Sequence, residues 1–217
     1  MTPAPGTLIS LEGIDGCGKS TQVRLLRAAL VSRGFRVGYE GSLGGTLREP
    51  GGTVLGESVR RRLLHHREGM QPWAEALLYA AARAQLAHDL LAPSLAAGWV
   101  VLIDRYIDSS LAYQGHARGL GVDEVLELNL RVTDGLLPRL AVVVAVDPAE
   151  AAARRRGAPD RIEREGLVFQ QRVAEGYALL ARRFPERIVV VDGARPPRLV
   201  AADVEAAVLA VLENAHV

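Results

Sequence analysis

The sequence predicts an α/β fold: an open, mostly parallel five-stranded sheet with helices on both faces. Three observations carry that expectation. Short apolar runs alternate with stretches of helical spacing along the whole chain. The runs are apolar at successive rather than alternate positions, as strands covered on both faces must be. No repeat unit and no linker-like stretch divides the 217 residues, so they read as one domain, 1–217.

Thr7 to Glu12 (TLISLE) is the expected first strand. It runs into Gly-rich sequence, after which Ser20 to Ser32 shows helical spacing through Val23, Leu26 and Leu30. Arg36 to Tyr39 is expected to be the second strand, followed by the Gly-rich Gly41 to Leu47 and then by Arg48 to Thr53 (REPGGT). Thr53 can cap a helix running to about His65, and a longer Ala/Leu-rich helix is expected from Trp73 towards Leu95, kinked at Pro93. Trp99 to Ile103 (WVVLI) reads as a buried strand ending at Asp104 and Arg105. Helical segments follow near Ser109 to Gln114 and from Val122 to about Val132. Leu140 to Val146 is the next buried strand, after which Asp147, Pro148 and Glu150 supply a cap, a first-turn proline and an acid at the third position. The arginine-rich Arg154 to Arg164 precedes a helix from Leu167 to Phe184; Ile188 to Val191 is the last strand and Leu199 to Leu212 the last helix. Ligands of such sheets bind at the carboxyl ends of the strands. The loops after Glu12, Tyr39, Ile103, Val146 and Val191 are therefore where chemistry is expected.

Composition narrows the function classes. The longest aliphatic run, Leu140 to Val146, is far short of the roughly 18 residues a spanning helix needs, so no membrane partner is expected. The start, Met1 to Gly6, lacks the charged and apolar regions of a signal peptide. A single cysteine, Cys17, cannot form an internal disulfide, which fits a cytoplasmic location. A net charge of +1 argues against nucleic acid as a partner. The most telling count lies among the cations: 25 are Arg and one is Lys, Lys19. A compact ammonium fits between crowded phosphate oxygens where a planar guanidinium does not.

Lys19 falls in Gly13 to Ser20 (GIDGCGKS), which satisfies G-x-x-x-x-G-K-[ST] between a predicted strand and a predicted helix. The glycines let backbone N–H groups turn inward around phosphates, and the helix N-terminus adds partial positive charge. Lys19 would reach the outer phosphates and Ser20 would offer an oxygen to Mg2+. Gly13, Ile14, Asp15, Gly16, Cys17, Gly18, Lys19, Ser20 and Thr21 are thus the candidate donor-nucleotide loop, with Cys17 read as a small filler. Two buried strands end in Asp. Asp147 has work as a helix cap, so Asp104 is the better candidate for the metal side, with Arg105 facing an acceptor phosphate; an ordinary strand-end carboxylate is the other reading of Asp104.

Tyr79 and Arg83 stand one turn apart on a helix face shared with Leu86 and Leu90. No acid lies three or four residues either side of Arg83. An aromatic plate beside a planar donor suits a nucleobase, although an arginine whose stem covers the core edge would look the same. Arg48 is expected on a strand-end loop near the phosphate-binding loop. Arg154, Arg155, Arg156, Arg161 and Arg164, offset by Asp160, Glu163 and Glu165, either close over a nucleotide to stabilise a phosphoryl group in transfer or form a solvated helix end. His65, His66, His88 and His116 lack metal-ligand spacing and read as surface residues.

In order along the chain, GIDGCGKST, REPGGT, YAAARAQ (Tyr79 to Gln85), DRYIDSSLAYQG (Asp104 to Gly115) and DRIE (Asp160 to Glu163) resemble the thymidylate kinase family, nucleoside monophosphate kinases that act on dTMP. The resemblance implies ATP:dTMP phosphotransfer giving dTDP and ADP, with ATP and Mg2+ as donor and cofactor and a homodimeric assembly. It implies roles by position: Asp15, Lys19, Arg48, Arg105, Arg156 and Arg161 in catalysis, Arg154 with the loop on ATP, and Ser20 with Asp104 on the metal. Arg48 would bridge donor and acceptor phosphates. Tyr79, where the family usually has Phe, would stack on thymine, Arg83 would bond the base, and Ser110, Tyr113 and Gln114 would line the sugar and base pocket. The stretch at about 154–166 resembles the family's lid, and Gly16 together with an Arg-rich lid resembles the bacterial branch, whose lid supplies the catalytic arginines. One departure stands out. The family runs from its second strand almost directly into REPGGT, whereas Gly41 to Leu47 (GSLGGTL) intervenes here.

An acceptor that is already an oxyanion needs no strong general base, so positioning and electrostatics must supply the catalysis. A GTPase-type switch would need an Asn-Lys-x-Asp motif, and the only lysine is already committed. A deoxynucleoside kinase would need a carboxylate base, for which Glu49 is the nearest candidate, but Arg48 and Arg105 suit a phosphorylated acceptor. A kinase for UMP or CMP fits the first motif and not the SSxAYQG segment.

Overall fold

The computed structural model describes residues 6–65, 69–155 and 157–213. The elements in chain order are β1 (Thr7–Glu12), α1 (Lys19–Ser32), β2 (Gly38–Tyr39), β3 (Ser42–Leu43), β4 (Leu47–Arg48), α2 (Val54–His65), α3 (Pro72–Leu86) and α4 (Ala92–Ala96). They continue with β5 (Val100–Asp104), α5 (Ile107–Ser110), α6 (Val122–Val132), β6 (Leu140–Ala145), α7 (Pro148–Arg154), α8 (Gly166–Arg183), β7 (Ile188–Asp192) and α9 (Pro197–Glu213). The main sheet has five strands in the order β4-β5-β1-β6-β7, every pair parallel. The expected α/β architecture is therefore present.

The core follows from the continuous apolar runs. Ile9 and Leu11 of β1, Val101 to Ile103 of β5 and Ala141 with Val142 of β6 are fully buried, as strands covered on both faces require. Helices α1 and α9 pack on each other over one face, while α8 packs against α7, β7 and the π-type turn Leu111–Ala117. Asp147 caps α7 as its sequence predicts, Oδ1 accepting from the Ala149 N–H at 2.8 Å and the Glu150 N–H at 3.3 Å. Thr53 Oγ1 likewise accepts from the Gly56 N–H at 3.0 Å at the start of α2.

Two expectations are corrected. The long helix from Trp73 is not simply kinked at Pro93: α3 passes through a π-type turn, Ala87–Leu91, before α4. Proline lacks an N–H and its ring clashes with the carbonyl four residues back, so a widened turn immediately before it absorbs the conflict. The second strand is also not Arg36 to Tyr39. Val37 bridges Val100, but the chain then leaves the sheet as the β2–β3 hairpin and returns only as β4, where Leu47 faces Ile103 and Arg48 faces Asp104. Three residue steps along β5 thus face ten along the edge, and seven residues are looped out. That number equals the length of the GSLGGTL insertion. The hairpin is tied down by Arg27 Nη1, which donates to the Gly44 carbonyl at 2.8 Å, and by the Glu40 N–H, which donates to Ser94 Oγ at 2.9 Å. The insertion is absorbed before Arg48, which keeps its place beside Asp104 at the carboxyl end of the sheet.

Candidate active site

The loop between β1 and α1 turns on glycines, two of which leave no room for a side chain. Gly13 and Gly16 both have positive φ, and a Cβ on Gly16 would lie 2.1 Å from the Ala151 carbonyl oxygen of α7. An arginine at that position has no room here. Lys19 Nζ is braced across the loop, donating to the Gly13 and Ile14 carbonyls at 3.1 and 2.9 Å. Cys17 is buried within the loop, as expected of a filler, and the Ile14 side chain points into the core, so Ile14 can offer a ligand only its backbone. Ser20 Oγ donates to Asp104 Oδ2 at 2.7 Å, joining the two residues predicted for the metal side.

This loop opens onto a cleft of about 860 Å³, walled by Arg48, Asp104, Arg105, Arg154 and the segment Gly193 to Pro197. Arg154 Nη1 donates to the Gly193 carbonyl at 2.9 Å and Nη2 meets Glu150 at 2.6 Å, which holds the far wall together. Arg48 is mostly exposed and reaches Glu57 at 3.3 Å. A second, smaller pocket adjoins the cleft and is lined by Tyr79, Arg83, Ser110, Tyr113 and Gln114, all five predicted substrate-side residues of that region. Both spaces are lined by Asp15, Glu49, Arg60 and Arg105, so they meet there.

Arg105 is the joint between them. Its backbone has φ of 70°, unusual for a residue with a side chain, and the guanidinium is held on three sides. Nη2 donates to Asp15 Oδ1 at 2.7 Å and to the Tyr113 hydroxyl at 3.2 Å; Nη1 donates to Ser109 Oγ at 3.2 Å and the Tyr177 hydroxyl at 3.3 Å. Burial alone would raise the Asp15 carboxyl, but Arg105, Lys19 and Arg155 outweigh it and hold it well below the usual carboxylate range. Behind Arg105 lies Glu12, the last residue of β1 and fully buried. Its carboxylate accepts from the Tyr106 N–H at 2.9 Å, Ser109 Oγ at 2.6 Å and the Tyr177 hydroxyl at 3.3 Å. Burial, followed by the nearby Asp108 charge, pushes Glu12 up to about 7, against the opposing pull of Ser109 and Arg105.

Arg83 does find a partner, though not on its own helix. It is buried and forms an ion pair with Glu49 at 2.6 Å; it also donates to Ser110 Oγ at 3.0 Å, the Tyr106 carbonyl at 3.1 Å and Asn129 Oδ1. Its five N–H groups are thereby engaged. Glu49, the nearest base for a rival hydroxyl acceptor, is locked in the same pair, its carboxyl raised by burial with Arg83 offsetting part of that effect.

The arginine-rich segment divides. Arg154 lies in the cleft wall and Arg155 pairs with Glu163 at 3.7 Å. Arg161 is buried away from both spaces, donating to the Leu63 carbonyl at 2.7 Å and to Glu75 at 2.6 Å. Arg156 lies outside the described residues, as does His66. Asp160 and Glu163 bond each other's backbone N–H at 2.9 and 3.0 Å, a reciprocal cap that spends both acids locally. Sequence reasoning missed Glu12, Glu75, Ser109, Tyr177 and Arg60. For Arg60 the signal was diluted, because it is the first of three consecutive arginines and only the fold turns it, and not its neighbours, towards both spaces.

Two adjoining spaces that share the carboxylates of Asp15 and Glu49 and the guanidiniums of Arg60 and Arg105 suit phosphoryl transfer between two anionic ligands, and the phosphate-binding loop places the molecule among the P-loop kinases. The sequence model of the thymidylate kinase family matches residues 11–204. A thymidylate kinase of Caldanaerobacter subterraneus subsp. tengcongensis is 47% identical over 189 residues, covering 87% of this chain and 88% of its own. One from Deinococcus radiodurans is 44% identical over 205 residues, covering 94% and 96%. The crystal structure of thymidylate kinase from Ehrlichia chaffeensis superposes with a TM-score of 0.75 at 31% identity, covering 94% of this chain and all of that one. This chain belongs to the thymidylate kinase family.

Proposed function

We infer that the chain transfers the γ-phosphoryl group of ATP to dTMP, giving dTDP and ADP, with ATP in the cleft over the phosphate-binding loop and dTMP in the adjoining pocket. The observation that carries the reading is the joint at Asp15 and Arg105, which brings the phosphate ends of two ligands together. An oxygen of the dTMP phosphate attacks the γ-phosphorus, the bond from that phosphorus to the β–γ bridging oxygen breaks, and ADP leaves with the electron pair. The nucleophile is already an oxyanion, so no side chain has to remove a proton.

Each residue then has a physical task. Lys19 exchanges its two carbonyl partners for the outer phosphates, and Arg48, exposed at the cleft, bridges donor and acceptor phosphates. Asp15, kept ionised by Arg105, fixes that guanidinium to grip the dTMP phosphate. Gly13 to Thr21 wrap the ATP phosphates, and Arg154 with the Gly193 to Pro197 wall holds the adenosine end. Tyr79 stacks on the base; Ser110, Tyr113 and Gln114 line the sugar and base, and Arg83 reads a base carbonyl by exchanging its Ser110 bond. Among the described residues no cluster of three or more His, Cys, Asp or Glu side chains could hold a metal ion unaided. The paired oxygens of Ser20 and Asp104 nevertheless fit Mg2+ and would hold it, with its remaining ligands left to water and substrate phosphates. Bound there, Mg2+ would neutralise charge on the phosphoryl groups.

The segment 154–166 is the lid of a single domain, 1–217, and we assign its Arg156 and Arg161 to the closed, transferring state. Homodimerisation is supported by Trp73 and Leu77, exposed one turn apart on α3. A cytoplasmic location is supported by the lone buried thiol. No helix among the described residues is long and apolar enough to cross a membrane. A coupled ADP-release assay with ATP and Mg2+, run with dTMP, dUMP, UMP, CMP, AMP and thymidine, tests the reading. Marked preference for dTMP is expected; activity with thymidine and none with dTMP would move the function to nucleoside kinase.

A further inference from the structure

Glu75 sits in the first turn of α3, where a carboxylate ordinarily faces water, yet its side chain is completely buried. Oε1 accepts from Gln114 Nε2 at 2.9 Å and Arg118 Nε at 3.3 Å, and Oε2 from Arg118 Nη2 at 3.1 Å and Arg161 Nη2 at 2.6 Å. Burial would raise this carboxyl, but Gln114, Arg118 and Arg161 outweigh it and hold it below the ordinary range. An ionised carboxylate can only accept hydrogen bonds. Gln114 must therefore turn its NH2 group to Glu75, which leaves its carbonyl oxygen directed away. That oxygen receives no hydrogen bond from the described residues and is not among the buried polar atoms left without a partner, while Gln114 lines the pocket beside Tyr79 and Ser110. Arg83, the other polar reader in that wall, has its donors engaged.

We propose that Glu75 is a positioning residue for base selection: by accepting the Gln114 amide it fixes a hydrogen-bond acceptor in the base pocket. Thymine and uracil carry an N–H at ring position N3 and match that acceptor. Cytosine presents a lone pair at N3 and is opposed by it. The inference rests on placing the acceptor base between Tyr79, Arg83 and Gln114, as proposed above.

The test compares kcat/KM for dTMP and dCMP in the full-length enzyme and in Glu75→Gln, Gln114→Met and the double variant. Where dCMP turnover is too slow to measure, its Kd is taken by calorimetry. A glutamine at position 75 can donate as well as accept, so the polarity of Gln114 is released. The preference for dTMP over dCMP should fall by about tenfold or more in Glu75→Gln, and Glu75→Gln should not change that ratio further in the Gln114→Met background. Equal losses for both nucleotides, with the ratio intact, would make Glu75 merely structural and overturn the proposal. If Glu75→Gln fails to fold, Glu75→Asp, whose shorter side chain withdraws the carboxylate from Gln114, takes its place, and an unchanged ratio there overturns the proposal. Tyr79→Ala separates the two readings. If it leaves KM for dTMP unchanged the base lies elsewhere and the pocket assignment fails; if KM rises while the Glu75→Gln ratio stays fixed, only the present inference fails.

Discussion

Replacing Glu12 by Gln should remove a pH dependence of stability that the native fold imposes on itself. Glu12 is sealed beneath Arg105, faced by Tyr106, Ser109, Tyr177 and the neighbouring Asp108, which is itself clasped by Arg187 at 2.7 and 2.8 Å. Burial pushes it from an ordinary 4.5 up to about 7. Between those values the folded protein holds a proton that the unfolded chain has released, so stability falls as pH rises through that window and is flat above it. At about 1.4 kcal/mol per pH unit the whole effect is roughly 3 kcal/mol, or about 6–12 °C in Tm for a chain of this size. Asp15 and Glu75, whose carboxyls are held low, act in the opposite direction but are common to both proteins. The quantity to follow is therefore Tm of Glu12→Gln minus Tm of the parent, by scanning calorimetry from pH 5 to 8 at fixed ionic strength. That difference should climb towards pH 7 and then level off. Two parallel curves would mean that Glu12 does not hold its proton in the fold, and the reasoning would be wrong.

Two other substitutions follow from the same geometry. Lys19→Met removes the only ammonium of the phosphate-binding loop and should lower kcat by about 10²–10³ while leaving the far-ultraviolet circular dichroism unchanged; an unaltered kcat would contradict its role. Arg161→Ala should lower turnover far more than dTMP affinity if Arg161 joins the transferring state, and should also cost about 1–3 kcal/mol of stability by removing one donor from buried Glu75, which keeps Arg118 and Gln114. Denaturant unfolding and steady-state kinetics read these two effects separately, and an unchanged turnover number would remove Arg161 from the lid machinery.

What the sequence revealed was what is local. The strand, loop and helix from Thr7 to Ser32 and the Asp147 cap depend on residues within a few positions of one another, and both stand as read. The edge strand was illegible because β4 is two residues long and its identity rests on facing Ile103 and Asp104. No local pattern separates it from the hairpin before it. The pocket residues were found by motif, but their supports were not. Arg83 looked unpaired because its acid, Glu49, lies 34 residues upstream on another element. Glu12 read as an ordinary strand end because the hydroxyls that hold it come from Ser109 and Tyr177, 97 and 165 residues away. Arg161, expected among mobile arginines, is instead anchored by Glu75 of α3, a contact that only the packing of the 154–166 segment against that helix creates.

In the proposed reaction the phosphoryl group passes directly from one nucleotide to the other across the Arg105 joint. Direct transfer is checked by incubating the enzyme with ATP labelled at the γ-phosphate, Mg2+ and dTMP, and separating the products. Label is expected in dTDP, in amount equal to the ADP formed, and none in Lys19→Met on the same timescale. Label recovered as inorganic phosphate, with dTMP unchanged, would contradict it.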